Sequence, residues 1–479
     1  MNKRNIIYLL NNLSPLQIAV FLFVAFVLVI IYIEPMFSKK KKNKLQELKK
    51  ASKDKAHGII FGKKGRKLIY SPTDAEGSIG VFSASGTGKT AAIGIPTLRS
   101  WTGTSFTIDI SGDICKNCPN MKNKLIYEPE RADTTPYNIF GAIDSLESTD
   151  DKNEALEQLA FLLMSEQLNI NANAKFYLDS GRKILTASLQ AFYYEGIDFI
   201  QICEKIVSSS YVDLFTEIDN TNNEDAKKYI NSFAGTPEET ISGCKQSCDD
   251  AIKLFATNGK VRRSIRRPRN GELAIEGKLI EQYNIFVIVE DPKLTLYAPL
   301  LNIITSQQMQ YISNHKVTKD IKQILLFLDE YASLHIDADT ILEATRKYRK
   351  RLCRIMIMTQ NIADLEILYG HDTTRSLMSN LRFKVLLGGL AETENQKFFA
   401  ELIGYETTKK KSTTTSSKGS TQTETETKEY RIDPADLDKQ GKDTVILICA
   451  TEANGYMKLK KTTTSKIKYS VFREYKELF

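Results

Sequence analysis

No charged residue interrupts the chain between Arg4 and Glu34, and Ile18 to Ile33 is apolar throughout. That length is enough helix to cross a bilayer core, so the pattern predicts one N-terminal transmembrane helix within residues 1–38. The apolar run is long for a signal-peptide core, a lysine run follows it and no small-residue cleavage site is evident, which weighs against a cleaved leader. Downstream the rhythm changes twice. Residues 56–149 alternate short apolar runs with Gly-rich turns, among them Ile79-Gly80-Val81-Phe82 and Thr104 to Asp109, as βαβ units do. From 150 to 255 the apolar positions take helical spacing, as in Leu156, Leu159, Phe161 and Leu163 and then Ile184, Leu185 and Leu189, which reads as an inserted all-α domain. Strand candidates return over 256–479 at Ile285 to Val289, Ile324 to Leu328, Ile355 to Met358, Val385 to Leu387 and Val445 to Ile448. Residues 407–428, rich in Thr, Ser, Lys and Glu, hold too few apolar side chains to fold alone and are expected to be a flexible loop between two strands, with a contact loop as the functional alternative.

Charge changes the picture at one place. Residues 39–55 carry nine lysines against Glu47 and Asp54, and together with Lys3, Arg4 and Glu34 they account for the whole formal charge of +8, leaving 56–479 neutral. The lysine excess on the C-terminal side of the apolar run places the body in the cytoplasm, with the polybasic segment against anionic lipid headgroups. A basic total therefore says nothing of nucleic acid, and any DNA contact must be local. Seven cysteines in such a body are expected to stay reduced. The pairs Cys115/Cys118 and Cys244/Cys248 fall in different regions, so free thiols are the better reading than zinc.

The chemistry is concentrated in two segments. Ser83-Ala84-Ser85-Gly86-Thr87-Gly88-Lys89-Thr90 follows a strand and precedes the helix-compatible Ala91-Ala92-Ile93, the context of a P-loop. In such a loop the backbone amides of Ser85, Gly86, Thr87, Gly88 and Lys89, with Thr90 and Ala91, cradle phosphates; Lys89 reaches the β/γ oxygens and Thr90 ligates Mg²⁺. The consensus begins with Gly where this chain has Ser83. At the end of a second apolar strand, Asp329 can hold Mg²⁺ and Glu330 can orient an attacking water, which implies ATP hydrolysis rather than binding alone. Lys260, Arg262, Arg263, Arg266, Arg267 and Arg269 form a local basic cluster: it would bind DNA phosphates, pair with acids of a neighbouring subunit, or stay solvated.

The P-loop at 83–90, Asp109-Ile110-Ser111-Gly112-Asp113, Leu328-Asp329-Glu330-Tyr331-Ala332-Ser333-Leu334, Met358-Thr359-Gln360-Asn361 and Leu368-Tyr369-Gly370 converge on one family. With its membrane anchor, the chain resembles type IV coupling proteins, the TraG/TraD-like conjugative DNA-transfer ATPases, from about residue 56 to 479. The resemblance implies an α/β, RecA-like P-loop NTPase domain in two parts, 56–149 and 256–479, around the all-α domain. It also implies a homo-hexamer that couples a relaxase-bound single DNA strand to type IV secretion channel components at the membrane. Gln360 matches the family's γ-phosphate sensor. Arg349 matches an arginine that enters the neighbouring subunit's site, although the run Arg346 to Arg351 also reads as a basic helix face in solvent. Two departures stand out: the family usually carries two membrane helices where one is found here, and Ser111 and Asp113 stand where it commonly has Lys and Glu. Two other functions remain open, a receptor for secreted protein effectors and a double-stranded DNA pump; no C-terminal DNA-reading winged helix is recognisable, which counts against the second.

Overall fold

The computed structural model describes residues 48–462 except 53–54, 167–169, 319–320, 391–392, 417–418 and 450–454. The apolar stretch 18–33 and the lysines up to Lys44 lie outside the described residues, and among those described no helix is long and apolar enough to cross a membrane. After a short strand at Lys49–Ala51 (β1), strands follow at Gly58–Lys64 (β2), Lys67–Pro72 (β3), Ser78–Phe82 (β4), Thr104–Ile110 (β5), Lys124–Tyr127 (β6) and Asn284–Val289 (β7). The remainder are Ile324–Leu328 (β8), Cys353–Thr359 (β9), Leu381–Leu387 (β10), Tyr405–Ser416 (β11), Gly419–Tyr430 (β12), Thr444–Ile448 (β13) and Tyr456–Lys460 (β14).

One mixed sheet carries the order β3-β2-β14-β13-β10-β4-β9-β8-β5-β7-β6. From β10 to β6 every neighbouring pair is parallel, and from β10 outward through β13, β14, β2 and β3 every pair is antiparallel. Every residue of β4, β7, β8 and β9 is buried. That is why these strands read as continuous apolar runs: a parallel sheet is covered by helices on both faces.

Between β6 and β7 the chain is helical at Thr149–Leu163, Ala172–Tyr194, Phe199–Ser208, Tyr211–Asp219, Glu224–Asn231 and Glu238–Thr257. Side chains cap five of these starts: Ser148, Asn171, Ser210 and Asn223 accept from amides three residues on, and Asp198 forms a capping box with Gln201. The helices pack on the sheet layer through one continuous core that includes Leu156, Leu185, Ile202 and Phe255 as well as Leu326 and Ile357. Phe161, placed by its spacing on the buried face, is instead 49% exposed. It lies under the Arg182 guanidinium, 4.7 Å from the ring centroid, so the apolar stripe of this helix is Leu156, Leu159 and Ala160.

The flexible loop expected over 407–428 is a correction. Residues 405–416 and 419–430 pair antiparallel, β11 with β12, in unbroken register from Tyr405↔Tyr430 to Ser416↔Gly419. Composition hid it because both faces are polar, whereas its threonines favour extended backbone and Tyr405 and Tyr430 stack at its base with centroids 4.7 Å apart.

The loop entering β4 is held by a buried cation. Arg354, 2% exposed on β9, donates to Gly77 O at 3.1 Å, Pro72 O at 2.8 Å and Ser71 Oγ at 3.1 Å. Arg354→Met should cost about 3 kcal/mol by stranding these acceptors, read as a lower urea midpoint at unchanged slope.

Candidate nucleotide site

Three parallel neighbours, β4, β9 and β8, deliver their C-terminal ends side by side. From β4 the chain enters Ser83 to Thr90. Gly86 and Gly88 take φ of 71° and 87°, values that glycine adopts without penalty, and no atom stands within 4 Å of where a Cβ would be at either. The loop is thus an open cradle. Ser83, in place of the consensus glycine, is not a defect: it has no positive φ, and its hydroxyl lies 2.5 Å from Thr87 Oγ1, which donates to Ala84 O at 2.8 Å. Ser85 and Ala91 are exposed and Thr90 is half-buried. Thr90 opens the helix as a wide π turn, Thr90–Gly94, continued as Ile95–Ser100. The helix can approach β8 because Gly94 faces Phe327, whose ring atom Cζ would be 2.7 Å from any Cβ there.

Lys89 is 8% exposed and folds back to donate Nζ to Ser83 O at 3.0 Å. Burial pushes its pKa down, while Glu330, Asp329 and Asp364 pull it back up. Asp329, 6% exposed after β8, is pushed up to about 7, first by burial and then by the charges of Glu330 and Asp109, with Lys89 opposing. Glu330 sits in the left-handed region at φ 47°, ψ 50°, a conformation non-glycine residues hold only when their surroundings enforce it. Gln360, after β9, donates Nε2 to Glu330 Oε1 at 2.7 Å. The predicted P-loop, acidic pair and glutamine are therefore brought together.

The donor set fits a nucleotide-bound cation. Among the described residues no three His, Cys, Asp or Glu side chains form a metal cluster, so Thr90 and Asp329 would need oxygens from the nucleotide itself, as P-loop sites do. None of the seven cysteines forms a disulfide, and all are buried.

The arginines lie elsewhere. Arg349 precedes β9, whereas Gln360 follows it, and its Nε is 2.6 Å from Glu76 Oε2. In the basic cluster, Arg262 pairs with Glu204, Arg266 with Glu272 at 2.5 Å and Arg267 with Asp144 at 2.8 Å; Arg267 also covers the rings of Phe140 and Tyr193. Arg263 and Arg269 are exposed.

The sequence reading left three contributors without a role. Asp109, fully buried on β5, accepts from the amides of Ile114 and Cys115, and burial lifts its carboxyl to about 6. Asp364 lies in the first turn of the helix Ile362–Asn380 that follows Gln360, and its charge raises the pKa of Lys89. Lys461 donates Nζ to Thr87 O at 2.8 Å across 374 residues, and nothing local marks it.

The family model for type IV secretory system conjugative DNA transfer matches residues 34–461. The chain belongs to this family. Its curated relatives include the VirD4 proteins of Rhizobium rhizogenes and Agrobacterium fabrum, each 20% identical over 369 residues, or 74% of this chain and 51% and 52% of theirs. The chain thus spans about half the length of the curated relatives it matches. Two solved structures share the fold of this family member: unbound TrwBdeltaN70, with TM-score 0.67 and 18% identity over 86% of this chain and 89% of that one, and TrwB in complex with the ATP analogue ADPNP, with TM-score 0.68 and 18% identity over 90% and 92%. The mixed α/β sheet of this chain is accordingly the fold of TrwB.

A pH dependence follows from the acidic cluster. The Asp329 carboxyl, raised from 3.8 to about 7, binds its proton more tightly folded than unfolded, so its ionised form costs stability fully above about pH 7 and not below about pH 4. Asp329→Asn should stabilise the nucleotide-free protein by about 2 kcal/mol at pH 8, with the gain shrinking towards pH 5 in parallel urea titrations.

Proposed function

We propose that this chain is a membrane-anchored ATPase of a type IV conjugation system, which recruits relaxase-bound single-stranded DNA and drives its transfer through the secretion channel. One observation carries the hydrolytic part: the Gln360 amide holds Glu330 at 2.7 Å, in the electrostatic environment of the P-loop lysine. A carboxylate fixed by the neighbouring strand is placed to orient water against a phosphate lying over Lys89. In this reading Ser85 to Ala91 bind ATP, Thr90 and Asp329 hold Mg²⁺, and Gln360 exchanges Glu330 for the γ-phosphate. Mg²⁺ bound with ATP supplies charge neutralisation across the β and γ oxygens. TrwB, whose fold the chain shares, is known in complex with ADPNP and with ADP and Mg²⁺, which supports the assignment.

Arg349 is assigned to the site of the adjacent subunit in a homo-hexamer. The seven residues of β9 separate it from Gln360 by about 20 Å, too far for its own nucleotide. It lines a cavity of about 490 Å³ with Arg346, Arg382 and Glu76, a cationic surface at the sheet end remote from the P-loop. The anchor is the apolar stretch 18–33, with the body in the cytoplasm.

A second cargo has one observation in its favour. Residues 149–257 contain eighteen Asp and Glu against nine Lys and Arg, and three arginines of the basic cluster are tied to acids within the chain. A helical insertion of net charge −9 suits a cationic polypeptide better than a phosphate backbone.

Hydrolysis by detergent-solubilised full-length protein decides between them. We expect stimulation by single-stranded DNA, and a loss of about 100-fold or more in Glu330→Gln. Glu330-dependent hydrolysis indifferent to DNA points to protein cargo, and none at all sinks the ATPase reading. Arg349→Ala should lower kcat on the order of 10³-fold with ATP binding retained. Mixing it with Glu330→Gln subunits should restore part of the rate, because some interfaces then pair an intact Glu330 with an intact Arg349.

A further inference from the structure

Asp329, Glu330 and Gln360 leave the ends of β8 and β9, on one flank of the P-loop strand; β10, β13 and β14 lie on the other flank. A nucleotide whose terminal phosphate faces the acidic pair leads its ribose and base towards the β10 side. Two segments meet the P-loop there, and a third abuts the first of them. The Gly388-Gly389 turn leaves β10 and presses on the loop: a Cβ on Gly389, at φ 86°, would stand 3.0 Å from Ala84 Cβ and 3.3 Å from Thr87 Cγ2. Gln440, in the segment before β13, abuts Gly388, whose Cβ would be 3.2 Å from Gln440 O and 3.5 Å from Gln440 Cβ. Lys461, immediately after β14, holds Thr87 O at 2.8 Å and ties its own amide to Asp443 O at 2.7 Å.

Gln440 is anomalous in its hydrogen bonding. Both polar atoms of its carboxamide are buried, and neither has a hydrogen-bond partner among the described residues. Buried amides are almost always satisfied, and leaving one unpaired costs about 1–3 kcal/mol. An unpaired donor and acceptor side by side match an adenine edge, which offers an acceptor beside an amino donor and is read bidentately by Gln.

We propose that the adenine of the bound nucleotide packs on the Gly388-Gly389 turn and that Gln440 reads its donor–acceptor edge. The proposal rests on the nucleotide reading given above. Lys461 acts as a positioning residue, holding the rim of the P-loop between phosphates and base. A side chain at 389 would press on Ala84 and Thr87, and one at 388 on Gln440, so the two glycines let the turn, the P-loop and Gln440 lie this close.

Binding of ATP, GTP and inorganic tripolyphosphate to the full chain tests it, with Lys89→Ala as the control. In Gln440→Leu, ATP should bind about 3- to 10-fold more weakly, tripolyphosphate should be unaffected, and the preference for ATP over GTP should vanish. Gln440→Glu keeps the shape but has only acceptors, so the preference should move to GTP, whose Watson–Crick edge presents two donors. Lys461→Ala should weaken ATP and tripolyphosphate alike, with Lys461→Arg restoring both. Equal shifts for ATP and tripolyphosphate in the Gln440 variants, or no shift in either, overturn base reading. Absence of Lys89-dependent binding in the parent chain overturns the nucleotide assignment itself.

Discussion

Phe82 lies opposite Thr359, and Leu328 opposite Ile357, because β4, β9 and β8 pair in one parallel register. The P-loop, Gln360 and the Asp329-Glu330 pair are the next residues on those strands, so their proximity is a consequence of that register. A slip of one residue would turn every side chain of a strand to the opposite face. Burial on both faces fixes the pairing, and at the far end of the sheet Arg354 pins the turn before β4 to β9. Gly94 then sets how closely the P-loop helix settles on β8. Packing thus decides the geometry before any charge is considered.

Charge is what packing leaves unresolved. Asp109, Asp329 and Lys89 are all buried, the carboxyls lifted and the lysine lowered by loss of water. Their mutual interactions only partly offset desolvation, which is the signature of a site organised for a ligand rather than for stability. Glu330 adds backbone strain at φ 47°. A triphosphate over Lys89 and a divalent cation beside Asp329 would each favour the ionised form of its neighbour, so binding returns what folding spent.

Legibility tracked sequence distance. The P-loop and the acidic pair could be read because each is a run of adjacent residues attached to an apolar strand, and Gln360 because it follows another. Ser83 looked like a flaw since the pattern records residue types and not φ. The partners of the basic cluster at 262–269 could not be named, because a local count cannot see Glu204, in the helical insertion, or Asp144, which precedes it. The 407–428 segment failed for the opposite reason: pairing in β11 and β12 is local, but without an apolar face it leaves no periodic trace. Lys461 and Gln440 were invisible, being delivered by strand order alone, the one to the P-loop and the other to the turn beside it.

That same strand order separates the ends of the site. Arg349 and Glu76 mark the entry ends of β9 and β4, and the P-loop and Gln360 their exits. The Arg349–Glu76 pair is exposed, its side chains at 64% and 47%, and exposed pairs of this kind contribute little, about 0–1 kcal/mol. A phosphate offers the guanidinium a bidentate, doubly charged partner. On the hexameric reading, Arg349 therefore leaves Glu76 readily when an adjacent subunit presents its nucleotide, and the weak intramolecular pair sets only a small barrier to assembly. On that reading a subunit alone would hold the water-orienting glutamate at one end and the charge-stabilising arginine at the other, and the length of β9 would keep them from acting on one nucleotide.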